Sequence, residues 1–255
     1  MSRHANFKQR LLNRDAMSGT FLKTPHYVLV EVLAQSGLDF ICLDAEHAPF
    51  DRAAIDQCCA IARALDFPLL VRVAGPEAKE ILSAMDCGAV GVVIPHVDSV
   101  ETAQAMAQAA RFGLGGRGYA GSSRWAGYAT RPMNEVMDQS RDETVVIAQI
   151  EEPYAVPLAD QIAAIDGIDA LFAGPADLSV GMGYRDQSSD DLKQALAHVG
   201  AAAQAAGKTY ASWVATTQAM TDWHETYGVN MFFVSSEHAW MRSAAKEIAQ
   251  TAQAL

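Results

Sequence analysis

The chain has 255 residues, half of them hydrophobic, and a formal net charge of −11 at pH 7. That length suits one α/β barrel domain or two small domains, with enough apolar content for a sizeable core. The charge argues against nucleic acid and anionic membrane surfaces as partners, although one local Arg or a metal can reverse the field inside a pocket. No apolar run is long enough to cross a bilayer. The polar stretch from Met1 to Arg14 has no signal-peptide core, so a cytoplasmic protein with no membrane partner is expected.

Eight short apolar runs follow in chain order: Gly19–Lys23, Phe40–Ala45, Pro68–Val73, Ala89–Val97, Val145–Glu151, Ala170–Pro175, Thr209–Ala215 and Met231–Glu237. Each is rich in Val, Ile, Leu or Phe, and most are joined by helical stretches. Continuous apolar runs suit parallel strands buried on both faces. Eight of them alternating with helices predict a (β/α)8 TIM barrel, a single domain over residues 1–255. Nothing reads as a linker, and Ala195–Ala206 reads as a helix of good propensity. The longest gap lies between the fourth and fifth runs. Its first part, Ser99 to Arg111, is an amphipathic helix; the rest, Phe112 to Arg131, reads as a covering segment shared with a neighbouring subunit. Gly113 to Gly118 matches GxGxxG by letter, but it follows a helix and opens none, so the match carries no dinucleotide site. Cys42, Cys58, Cys59 and Cys87 include no CxxC pair and read as small buried hydrophobes in a reducing compartment.

In a barrel of this kind the strand C-termini build the active site, so the residues after each run are read for chemistry. His47, in Asp44-Ala-Glu-His-Ala-Pro49, follows the second strand. It is placed either to move protons at the mouth or to cap a helix or bond a carbonyl. Arg72 ends the third strand, where a buried guanidinium must serve a ligand, an internal ion pair, or both. Gln149 and Glu151 are two apart on the fifth strand, so both leave the same face. Gly174, Pro175, Ala176 and Asp177 follow the sixth strand: Gly174 allows close backbone approach and Pro175 fixes the turn. Asp177 alone reads as a helix N-cap and Glu151 alone as an ion-pair partner. Together, on adjacent strands, they make a two-carboxylate site of all-oxygen type, suited to Mg2+, Mn2+ or a similar divalent ion. Trp213 is a bulky group at the end of the seventh strand. His26, His96 and His238 also lie near strand ends; no HxH pair follows the first strand, so they read as pocket-wall or surface residues.

The segments DAEHAP, VRV, QIE and GPADLS, in this order and spacing, resemble the HpcH/HpaI aldolases, metal-dependent class II pyruvate aldolases typified by 4-hydroxy-2-oxoheptanedioate aldolase. The similarity runs from about Gly19 onward and includes Gly-Thr-Phe-Leu-Lys, Gly-Leu-Asp-Phe and Gly116-Arg-Gly118. It implies reversible aldol cleavage of 4-hydroxy-2-oxo acids to pyruvate or hydroxypyruvate and an aldehyde, through a metal-stabilised enolate. His47 then matches the catalytic base, Arg72 the residue that steadies the enolate, and Glu151 and Asp177 the ligands of Mg2+, Mn2+ or Co2+. Gln149 and the backbone N–H of Ala176 match positions that hold the 2-oxo acid. Asp86 matches an Asp that pairs with the catalytic His; because it precedes the fourth strand, it is expected to serve His47 of a neighbouring subunit. Family members are typically hexamers, trimers of dimers, and here the C-terminal helix from Ser243 to Leu255 is either exchanged between partners or packed in place. The chain departs from the family at Ala48, Ser235 and Glu237, followed by His238, which touches substrate size rather than the chemistry. Two rival readings remain: a class I aldolase forming a Schiff base through Lys23, and a citryl- or malyl-CoA lyase-like enzyme, for which this acidic chain offers no evident basic nucleotide groove.

Overall fold

The computed structural model describes residues 2–255, and eight parallel strands close into one barrel in the order β1-β2-β3-β4-β5-β6-β7-β8. The strands are β1 (Met17–Leu22), β2 (Phe40–Asp44), β3 (Leu69–Arg72), β4 (Gly91–Ile94), β5 (Val145–Ile150), β6 (Ala170–Ala173), β7 (Thr209–Val214) and β8 (Met231–Ser236). Seven of the eight apolar runs contain their strand whole; the first, Gly19–Lys23, misses the start of β1, which begins at Met17. The runs overshoot the ladders by a residue or more, because apolarity marks burial: Ala89 and Val97 are buried yet lie outside β4.

The helices are α1 (Arg3–Leu12), α2 (Tyr27–Ala34), α3 (Arg52–Ala64), α4 (Ala78–Cys87), α5 (Val100–Ala109), α6 (Met133–Glu143), α7 (Ala159–Ala163), α8 (Pro175–Gly181), α9 (Asp190–Ala205), α10 (Thr217–Tyr227) and α11 (Glu237–Gln253). Apolar strand residues of one parity pack outward against these helices, and those of the other parity fill the lumen. The lumen holds Phe21, Phe40, Cys42, Leu70, Val93, Ile147, Phe172 and Phe233. Phe40, Phe172 and Phe233 meet edge to face, a geometry aromatic pairs favour. Gly19 makes room for this packing, since a Cβ there would stand 2.5 Å from the Phe40 ring.

Two helices, α1 and α6, escaped the sequence reading. The polar N-terminal stretch forms α1, capped by the Ser2 hydroxyl, which accepts from the Ala5 N–H. Positions 4, 7, 8 and 11 are buried, the i, i+3, i+4, i+7 stripe of an amphipathic helix. Phe7 and Leu11 plug the lower end of the lumen against Met17 and Phe40. Lys8 reaches the same end and donates to the carbonyls of Arg141 (2.7 Å) and Thr144 (2.8 Å).

The segment after α5 covers the side of the barrel rather than its mouth. Its Arg124 pairs with Asp56 of α3 at 2.8 Å, and Arg63 of α3 lies over its Trp125 ring. The glycine-rich letters within it lie in a loop closed by a Phe112–Arg117 bridge, and no helix opens there. The four cysteines are free and buried, and burial pushes the thiols up. No helix among the described residues is long and apolar enough to cross a membrane.

Candidate active site

Strand parity decides what faces the mouth. In β2, Phe40 and Cys42 point into the lumen, so Asp44 does too; in β3, Leu70 brings Arg72 inward; in β5, Ile147 brings Gln149 and then Glu151. At the strand C-termini a polar layer therefore rests on an apolar one.

Asp44 is the hub of that layer. It is fully buried, and its Oδ1 accepts from Arg72 Nε (3.1 Å) and from the His47 backbone N–H (3.1 Å). Arg72 Nη2 lies 2.8 Å from the same oxygen, and Lys23 Nζ lies 2.7 Å from Oδ2. Burial pushes the Asp44 carboxyl up, but Arg72, Lys23 and the His47 N–H outweigh it and hold it below its ordinary value. The Arg72 guanidinium also sits 4.4 Å from the centre of the Phe21 ring and 3.2 Å from Glu46 Oε2. Arg72 is thus both an internal ion-pair member and a cavity wall.

A cavity of about 290 Å3 opens above this layer. Arg72, Gln149, Gly174, Ala176, Asp177 and Trp213 line it, with Phe21 and Phe172 as its apolar floor. A small polar ligand fits such a volume, near the low end for ligand pockets. Trp213 is fixed by an Nε1–H bond to the Ser235 carbonyl at 3.3 Å. Gly174 is required by packing, because a Cβ there would lie 2.9 Å from Glu151 Cβ. Glu237, which follows β8, accepts from the backbone N–H groups of Lys23 and Thr24 and so ties the ends of β1 and β8 together.

Glu151 is buried beside the cavity, with its Oε2 accepting from Gln149 Nε2 and its Oε1 accepting from the His96 backbone N–H at 2.8 Å. Burial, with the nearby charges of Glu46 and Asp177, pushes its carboxyl up to about 7 against the pull of His96. His96, read from the sequence as a pocket-wall or surface residue, is half exposed and lies in the acidic cluster itself: its ring meets Glu46 Oε1 at 3.1 Å and Glu152 Oε1 at 2.6 Å. Donor atoms of Glu46, His96 and Glu151 lie within 4.8 Å of one another. Glu46 Oε2, Gln149 Oε1 and Glu152 Oε2 are buried without a hydrogen-bond partner. Buried carboxylate oxygens are costly when unpaired, so this donor set suits a divalent cation. Chain order hid Glu46 and His96 as a pair, because they meet only where the ends of β2, β4 and β5 converge.

Two expected residues stand apart from the cavity. His47 lies on the rim with its side chain half exposed, 3.7 Å from Glu46. Asp86 lies 3.7 Å from Arg117, whose guanidinium stacks on the Phe112 ring. No hydrogen bond or ion pair joins it to His47 of its own chain among the described residues. Burial raises the Asp86 carboxyl, with Arg117 and Arg52 opposing.

The profile of the HpcH/HpaI aldolase/citrate lyase family matches residues 17–251. A hydroxypyruvate/pyruvate aldolase of Paraburkholderia phytofirmans is 31% identical over 251 residues, covering 95% of each chain. A 4-hydroxy-2-oxovalerate aldolase of Novosphingobium aromaticivorans is 35% identical over 211 residues, 79% of each chain. Among solved structures, an HpcH/HpaI aldolase/citrate lyase family protein from Burkholderia cenocepacia J2315 superposes with a TM-score of 0.92 at 29% identity, covering 98% of this chain and 99% of that one. The chain belongs to the HpcH/HpaI aldolase/citrate lyase family, and it is a carbon–carbon lyase.

Proposed function

We propose that the protein is a class II aldolase that reversibly splits a 4-hydroxy-2-oxo acid into pyruvate, or hydroxypyruvate, and an aldehyde. The observation that carries this reading is the convergence of Arg72, Gln149 and Asp177 on one small cavity, with Glu151 held at high electrostatic cost beside it. Glu151 and Asp177 would hold a divalent ion (Mg2+, Mn2+ or Co2+). When bound, such an ion supplies Lewis-acid withdrawal of electron density from the keto oxygen of the 2-oxo acid.

The chain's own residues do the rest. Gln149 and the Ala176 N–H orient the 2-oxo acid, and the apolar floor of Phe21 and Phe172 keeps water from its methylene carbon. In cleavage, His47 takes the proton from the C4 hydroxyl while the C3–C4 bond breaks. The bonding electrons move into the enolate, and Arg72 donates a charge-assisted hydrogen bond to the oxygen where the negative charge gathers. Return of a proton to C3 gives the 2-oxo acid product.

The same reading takes the active protein as a homo-hexamer in which Asp86 orients His47 of the partner subunit. It also takes α11 as exchanged between subunits: of its 17 residues only Glu237 is buried, and Met241 and Ile248 are exposed. Such an apolar stripe on a long helix calls for a partner.

Pyruvate release from a 4-hydroxy-2-oxo acid tests the reading directly, read with a coupled dehydrogenase. Glu151→Gln and Asp177→Asn should each abolish it with the fold intact; full turnover in either would refute the ligand assignment. The Schiff-base alternative has a specific residue, since Lys23 lines the cavity, but its ammonium is committed to Asp44. Borohydride with substrate leaves the protein active in the metal reading and traps it covalently in the other.

A further inference from the structure

His96 stands two residues beyond β4 with its backbone in the left-handed region, at φ +53. A non-glycine residue in this sparsely populated conformation is strained and persists where the surroundings demand it. Here the turn does two things. It aims the His96 N–H at Glu151 Oε1, and it sets the ring among three carboxylates, with Nδ1 3.4 Å from Glu151 and 2.6 Å from Glu152 and Nε2 3.1 Å from Glu46. The Glu46 side chain is 7% exposed, and its Oε2 has no hydrogen-bond partner. Arg72 Nε is close to that oxygen but gives its N–H to Asp44. Glu151 belongs to both sides of this arrangement: its Oε2 is turned toward Gly174 and Gln149, and its Oε1 toward His96.

We propose that His96 is a nitrogen donor to the divalent cation and tilts the site away from Mg2+ toward Co2+ and Zn2+. This deepens the cation reading above and rests on it. Imidazole suits first-row transition ions, whereas Mg2+ prefers oxygen ligands and gains little from a ring nitrogen. Glu152 holds Nδ1, as a carboxylate orients the far nitrogen of a ligating imidazole, and Nε2, 3.1 Å from Glu46 Oε1, is the nitrogen that would donate to a bound cation.

The test uses full-length protein stripped of metal and then given metal salts alone. Proton NMR of the Co2+-loaded protein should show a paramagnetically shifted imidazole N–H that exchanges in D2O and is missing from His96→Asn. Asn tolerates the left-handed backbone, so that variant should fold. Calorimetric titration should show His96→Asn weakening Co2+ and Zn2+ by at least about tenfold while moving Mg2+ less than about threefold. The absence of a shifted, exchangeable N–H in the unmodified protein overturns the proposal, as does an equal loss, or no loss, for all three ions. Glu151→Gln separates the two layers. If it binds Co2+ as tightly as the unmodified protein, the cation reading itself falls. If it loses Co2+ while the unmodified protein lacks the shifted N–H, only the role of His96 falls.

Discussion

The two ends of this barrel are built on opposite principles. At the lower end, α1 inserts Phe7 and Leu11 into the lumen, and its one buried ammonium, Lys8, is satisfied by two carbonyls. At the upper end, Asp44, Arg72 and Glu151 are buried in one network, and oxygens of Glu46, Gln149 and Glu152 are left without hydrogen-bond partners. The lower end spends apolar area on stability; the upper end keeps polar groups unsatisfied where a ligand can satisfy them. Conservative chemistry at one end and exposed cost at the other is what separates a scaffold from a site.

That contrast can be broken by mutation. The largest effect should come from His47→Ala, with aldol chemistry lost and the fold intact; full retained activity would mean that another base does the work. Next, Arg72→Ala should lower turnover by at least about 100-fold while leaving calorimetric metal binding in place. Near-normal turnover would remove Arg72 from the reaction. At the other end, Leu11→Ala should cost about 2–5 kcal/mol in denaturant unfolding and leave kcat within about twofold in folded protein. A large loss of kcat with unchanged stability would erase the distinction between the ends.

The smallest effect is a pH slope. Burial, aided by Arg63, holds the His4 imidazole below its ordinary 6.5, against Glu143, Asp66 and the Phe67 carbonyl. The unfolded chain therefore takes up this proton first, and stability falls as pH drops from 6.5 toward the lower folded value. The slope from this group is at most about 1.4 kcal/mol per pH unit. His4→Gln should flatten it in unfolding curves measured across that range; an unchanged slope would place the titration elsewhere.

The two ends also differed in how readable they were. Strands buried on both faces announce themselves as apolar runs, so β2 and β5 were legible almost to the residue. Period two then told which neighbours share the lumen, which is why Gln149 and Glu151 were legible as a pair. Helix α1 was hidden because its buried stripe includes His4 and Lys8, polar residues whose burial depends on distant carbonyls and carboxylates. Asp44 was visible as part of a motif but not as the hub, since its partners Lys23 and Arg72 come from neighbouring strands. His96 was passed over for the same reason: lone histidines carry little signal until the ends of three strands are brought together. Asp86 found Arg117 in a loop with no periodicity to read.

The divalent ion can be tested without changing a residue. Protein treated with EDTA and freed of chelator should release no pyruvate from a 4-hydroxy-2-oxo acid, and added Mn2+, Mg2+ or Co2+ should restore the rate. Undiminished carbon–carbon cleavage by the stripped protein would contradict the role given to Glu151 and Asp177.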